Sequence, residues 1–182
     1  MSCPCGRDRR VDRGAILIPP QLAERLERLR TSTPGLRAYA LVDGLQYDQY
    51  FGHPLKRRWG AVAALFAGTE DEPLADAGPW VIDLAAHEAA IISPLGELEE
   101  ARPGVMWLFT NQDIESLVVT LQSKLNSRLP DGKVALLRFW DPRVFVPLFN
   151  ALDAAGRQAY FGDVTEWHGL KNGKRFHVSH YA

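Results

Sequence analysis

Leu136-Leu137-Arg138-Phe139-Trp140-Asp141-Pro142-Arg143-Val144 is the stretch on which the reading of the fold turns. Val134 to Trp140 is a run of apolar and β-favouring residues broken only by Arg138, the pattern of a strand buried on both faces. Asp141 stands where an N-cap belongs. Pro142 follows at the first helical position, where a missing N–H does no harm, so a helix is expected to start there. Arg138, between Leu137 and Phe139, would be too costly to bury unpaired. A carboxylate partner is expected within reach, and Asp141 is the nearest candidate.

Working outward, Pro130-Asp131-Gly132 reads as the turn into this strand. Upstream, Val105 to Phe109 reads as a strand, and Thr110 followed by Asp113 gives a capping-box-like start to the best helix in the chain. Ile114, Leu117, Val118, Leu121 and Leu125 keep one face of that helix apolar, with Lys124 and Arg128 at its negative end. Downstream, Val144, Phe145, Leu148, Phe149 and Leu152 form a helix expected to stop at Gly156, with Pro147 an irregularity. Strands at Val164 to His168 and Arg175 to Ser179 flank the hairpin signal Asn172-Gly173.

In the N-terminal half, Leu22, Leu26 and Leu29 after Pro19-Pro20 mark an amphipathic helix, with Glu24 and Arg28 as an outer i,i+4 pair. Strands are expected over Leu36 to Asp43, Ala61 to Phe66 and Trp80 to Leu84, with a short helix around Tyr47 to Phe51. Ala85 to Ile92 reads as helical, stopped by Ser93-Pro94. Strands alternating with helices imply an α/β (α+β) fold: a mixed β-sheet with helices packed on it. The domain is one compact unit over residues 15–182, and residues 1–14, with Arg7, Arg9, Arg10 and Arg13, read as a flexible basic tail.

The chain has 182 residues, 46% of them hydrophobic and 24% charged, with a formal net charge of -1, so neither a nucleic acid nor a membrane is implied as an obligate partner. Cys3 and Cys5 are too close for an unstrained disulfide and lack the usual metal spacing. With no signal-peptide core and no membrane-span-length apolar run, a reducing, cytoplasmic location is expected.

Motifs for chemistry mostly fail. His87-Glu88 lacks the second histidine of a zinc-protease helix, since Ile91 stands in its place. Gly169 to Arg175 lacks the spacing and the Ser/Thr of a phosphate loop. His168, His177 and His180 show no ligand spacing, and no Gly-x-Ser-x-Gly elbow occurs. Glu97, Glu99 and Glu100 read as a solvated loop. No catalytic residue, metal or cofactor is assigned.

Asp43, Arg138, Asp141 and Arg143 are the strongest charged candidates, either as a structural network or as a charged pocket for an acidic small molecule. Lys56-Arg57-Arg58 before Trp59, and Lys171 to Arg175 before Phe176, mix charge with aromatic character, and protein contact or solvated surface is favoured over nucleic acid. Trp59, Tyr160 and Trp167 lie outside the clearest core runs and are interface candidates, joined by Trp140 in the opening stretch.

Leu137 to Val144 resembles the Arg-Phe-aromatic-Asp-Pro-Arg signature of the type VI secretion adaptor domain, the effector chaperones called Tap or TEC proteins. Tyr39-Ala40-Leu41-Val42-Asp43-Gly44, Gly78-Pro79-Trp80-Val81-Ile82-Asp83-Leu84 and Leu129-Pro130-Asp131-Gly132 fall in that family's order. Phe161-Gly162 followed by Trp167 resembles its closing segment. The resemblance spans about residues 36 to 168, and the order of the pieces carries it. It implies a cytoplasmic bacterial protein without enzymatic activity that binds a cognate toxic effector and promotes its loading onto the VgrG spike protein. The basic tail is outside the family pattern, and many relatives continue beyond the adaptor domain. The resemblance transfers no binding residue.

Overall fold

Two strands, β1 (Arg37–Asp43) and β4 (Val105–Thr110), run through the middle of a six-stranded sheet and are buried almost throughout. The computed structural model of the chain describes residues 18–86, 89–128 and 131–179. The tail with Cys3 and Cys5, Pro130 and His180 lie outside the described residues. Strands β2 (Val62–Ala64), β3 (Pro79–Asp83), β7 (Glu166–Lys171) and β8 (Lys174–Ser179) complete the sheet, in the order β2-β3-β1-β4-β7-β8. Every pairing in it is antiparallel. The fold is α+β, as the alternation of elements implied.

Period-two alternation along the central strands builds two cores. Ala38, Ala40, Val42, Val105, Trp107 and Phe109 face one layer with Leu22 and Leu26 of α1 (Pro20–Ser32), Tyr47 of α2 (Gly44–Phe51), and Leu95 and Leu98 of α3 (Ala89–Ala101). Tyr39, Leu41, Met106 and Leu108 face the other, against Ile114, Leu117 and Leu121 of α4 (Ile114–Gln122), Phe145 of α5 (Pro142–Ala151) and Phe161 of α6 (Ala154–Phe161). Helices on both faces explain why β1 and β4 read as continuous apolar runs.

Buried ion pairs pin the outer elements. Glu166 on β7 is bound by Arg25 of α1 and by His168 Nε2 at 2.9 Å, while Glu99 of α3 receives both Arg175 guanidinium nitrogens from β8, at 2.9 and 2.7 Å. Glu99 therefore lies in a helix and is buried, correcting its reading as solvated loop. Pro94 does not stop that helix. It sits in the N-terminal half of α3, and Leu95 and Leu98 anchor the remainder in the core.

Four further corrections concern element ends and local pairs. Val134 to Trp140 is not a central strand: only β6 (Val134–Leu136) forms, paired with β5 (Asn126–Arg128) in a separate hairpin, with Val134 62% exposed. The centre is already filled by β1 and β4, and the chain turns inward at Phe139 and Trp140 instead. Asp113, not Thr110, caps α4 by accepting the Ser116 amide at 2.8 Å, and α4 ends at Gln122, so Arg128 falls in β5. The helix after Pro142 ends at Ala151, because Asp153 caps a new helix through the Gly156 amide at 2.7 Å. On α1 the outer pair that forms is Glu27–Arg30 rather than Glu24–Arg28.

Candidate functional site

Asp43 closes β1 at a corner that gathers four separate pieces of the chain. Its Oδ1 accepts the Gln46 amide at 3.0 Å and caps α2. Its Oδ2 accepts Arg138 Nη2 at 3.0 Å and Trp140 Nε1 at 3.1 Å. The next residue must be glycine. A Cβ on Gly44 would lie 2.2 Å from the Asp76 carbonyl oxygen and 2.7 Å from that of Gly78, which accepts the Gly44 amide. Gly78 in turn leaves room for the Phe66 ring, which meets Trp140 edge-on at 5.8 Å.

Asp141 caps α5 by accepting the Arg143 amide at 2.9 Å, as the Asp-Pro pair implied. The Arg143 guanidinium closes on the same carboxylate, with Nε at 3.0 Å and Nη2 at 2.7 Å. Burial works to raise the Asp141 carboxyl, but the hydrogen bonds from Arg143 and the charges of Arg143 and Arg138 outweigh it and hold it below the ordinary carboxylate range. Arg138 reaches Asp141 only at 3.9 Å. Its nearer partner is Asp43, against the expectation from spacing, because Arg143 already occupies Asp141 and the fold brings the end of β1 alongside.

Each carboxylate of this arrangement caps a helix and holds an arginine. Asp43 and Asp141 are buried, and both oxygens of each are engaged, so neither is a free base. The arginines are outward: Arg138, over the Trp140 ring at 5.9 Å, is 46% exposed and Arg143 is 60% exposed. Arg143 borders a cavity of about 240 Å³ with Glu100, Arg102 and the turn between β7 and β8, whose lining includes neither aspartate.

The aromatic candidates separate sharply. Trp167 is buried, its Nε1 donating to the Phe161 carbonyl at 3.2 Å and its ring packed on Phe139, Phe145 and Phe161; it belongs to the core and not to an interface. Its strand, β7, pairs with β4, a tertiary fact that local pattern does not carry. Tyr160 is half-buried, donates its hydroxyl to the Lys124 carbonyl at 2.8 Å, and has a phenol pushed up by burial, so it too is structural. Trp140 is buried in the corner. Trp59 alone of these stands in solvent, 85% exposed, next to the exposed Lys56, Arg57 and Arg58.

Ile114 and Val118 of α4 share a cavity of about 220 Å³ with Trp59. Sequence reasoning assigned both to the core face of α4, although Val118, beside the 67%-exposed Val119, extends the apolar stripe toward solvent. Among the described residues no cluster of three or more His, Cys, Asp or Glu is arranged to hold a metal ion. His168 and His177 stack at 5.8 Å, but His168 is engaged with Glu166, and burial lowers its affinity for a proton. Among the described residues no helix is long and apolar enough to cross a membrane.

A family model described as a domain of unknown function, DUF4123, matches residues 38–159, a span that contains Asp43, Gly44, Gly78, Arg138, Asp141 and Arg143. No curated protein and no solved structure matches the chain.

Proposed function

The chain belongs to the DUF4123 family, and on that premise we propose that it is an adaptor that binds a type VI secretion effector and promotes its loading onto the VgrG spike. DUF4123 is linked to type VI secretion effector adaptors, and the match across residues 38–159 is the observation that carries the reading. The corner supports it in a specific way. The pieces that resemble the adaptor family, Asp43-Gly44, Gly78-Pro79-Trp80 and Arg138 to Arg143, meet at one place and satisfy one another. Mutual satisfaction of these pieces supports reading them as the shared scaffold of the family, with partner binding carried by other surfaces in this reading.

The protein acts without turnover and without a cofactor in this reading, in the bacterial cytoplasm, and its partners are proteins. The test is co-expression with the products of neighbouring toxin and spike genes. A co-purifying complex with the effector is expected. Folded protein that captures neither partner overturns the adaptor role. Were the corner instead a charged catalytic pocket, Arg143→Ala and Asp43→Asn would abolish a turnover while leaving the melting temperature nearly intact.

A further inference from the structure

Trp59 is the one tryptophan of five that stands in water, since Trp80, Trp107, Trp140 and Trp167 are all buried. It is held there by ordered backbone. Arg58 and Val62 exchange amide hydrogen bonds of 3.0 and 2.8 Å, the Ala61 amide donates to the Arg58 carbonyl at 3.0 Å, and Gly60 takes a left-handed φ of 69° to close the turn. A partner that covers this side chain loses little freedom of the chain in doing so.

Hollows lie on both sides of the turn. One, of about 220 Å³, runs along Ile114 and Val118 of α4, and the other, of about 440 Å³, is lined by Tyr47, Pro54 and Leu55. Arg57, Arg58 and Val62 border both, so the turn is a ridge between two partly apolar grooves. Lys56, Arg57 and Arg58 are exposed and have no ion pair among the described residues. Among the described residues, Glu115 is the only carboxylate lining either hollow.

We propose that this ridge is the docking site for an acidic segment of a protein partner. An apolar side chain of that segment covers Trp59, and its carboxylates meet Lys56, Arg57 and Arg58. The inference rests on the adaptor reading for the existence of a protein partner and adds where, and by what chemistry, it is held. Tryptophan and arginine are the side chains that dominate binding energy at protein interfaces, and arginine pairs with carboxylates in a directed, two-pronged geometry. A single-stranded nucleic acid would call for successive stacking platforms, whereas the ridge offers one. A second copy of the chain laid twofold on the ridge would set cation against cation.

Trp59 also supplies the readout, because acrylamide quenching and red-shifted emission report the exposed indole. The full-length protein is titrated with a synthetic peptide in which leucines are interspersed among Glu-Asp pairs. Expected are protection of Trp59 from quenching and a blue shift, with affinity falling as salt rises. In a binding assay without fluorescence, Trp59→Ala and the double variant Arg57→Glu/Arg58→Glu each weaken the peptide at least tenfold, while Lys174→Glu on the β7–β8 hairpin does not.

Equal protection by polyglutamate or by a single-stranded DNA oligonucleotide overturns the proposal, as does no protection by the peptide. Dimerisation in sedimentation that Trp59→Ala abolishes reassigns the ridge to a second copy and also overturns it. The co-encoded effector separates the two levels of inference. Capture by wild type and equally by both variants defeats the ridge and leaves the adaptor standing, whereas failure of wild type to capture effector or spike defeats the adaptor itself and the ridge with it.

Discussion

Replacing Asp43 by asparagine keeps the shape of the corner and removes its charge. Three donors converge on the native carboxylate: the Gln46 amide, Arg138 Nη2 and Trp140 Nε1. An asparagine amide has one acceptor oxygen, so in either orientation at least one of these donors meets an NH2 group instead. With Nδ2 turned toward Trp140, a buried indole N–H is stranded at a cost of about 1–3 kcal/mol. The charge-assisted bond to the half-exposed Arg138 is lost as well, about 1 kcal/mol after solvent screening. The sum is about 2–4 kcal/mol, or roughly 5–12 °C in melting temperature for a chain of this size.

Urea unfolding followed by near-UV circular dichroism, alongside thermal melts, measures this directly. Asp43→Ala is expected to cost about 1 kcal/mol more, because the cap on α2 goes too. An Asp43/Arg138 double-mutant cycle isolates the pair and is expected to give a coupling of about 1 kcal/mol. An Asp43→Asn protein that melts within about 0.5 kcal/mol of wild type refutes the assignment of the corner to stability. Loss of partner binding in that stable variant would make the corner a binding site.

Glu166 is buried beside Arg25 and His168. Burial works to raise its carboxyl, but the hydrogen bonds and charges of His168 and Arg25 prevail and depress it to about 2 from an ordinary 4.5. A depressed carboxyl stabilises fully above the unfolded value and loses that contribution as pH falls from 4.5 toward 2, so Glu166→Gln should flatten the acid limb of the stability profile. With Arg25 itself 37% exposed, the contribution is discounted to about 1–2 kcal/mol, measurable by urea unfolding across that range. Gly44→Ala must displace backbone carbonyls and is expected to cost more than about 3 kcal/mol, while Gly52→Ala, strained in φ but facing open space, costs about 1 kcal/mol; the ratio of the two shifts in urea midpoint is the check. Phe139→Ala, which empties a site packed against Trp140, Tyr160 and Trp167, is expected to cost about 3–5 kcal/mol by the same measurement.

Several features were legible because their causes are local. Asp141-Pro142 capped a helix, Asn172-Gly173 made a left-handed turn with φ of 53° and 71°, and Asp43-Gly44 ended a strand. Local pattern and structure part where a local signal competes with a distant one. Val134 to Trp140 has the apolar content of a central strand, yet β1 and β4 occupy that place and the segment is left at the periphery. Glu99 sits in an acidic run that reads as solvated, and only the arrival of Arg175 on β8 makes its burial affordable.

The candidate site divides in the same way. Composition and spacing singled out Asp43, Arg138, Asp141 and Arg143 as a charged group, but the pairing of Arg138 with Asp43, 95 positions away, exists only once β1 and the α5 corner are packed together. Trp59, Tyr160 and Trp167 looked alike as aromatic residues outside apolar runs. Packing alone told them apart, burying Trp167 against β4 and α5, tying Tyr160 to the Lys124 carbonyl and leaving Trp59 in water.

By itself, then, the sequence determined most of the element types and the residues able to cap and turn the chain, because those depend on neighbours within a few positions. The tertiary structure decided strand order, which charges found partners and which aromatics remained exposed, because burial and pairing are properties of the surface that another part of the chain brings up.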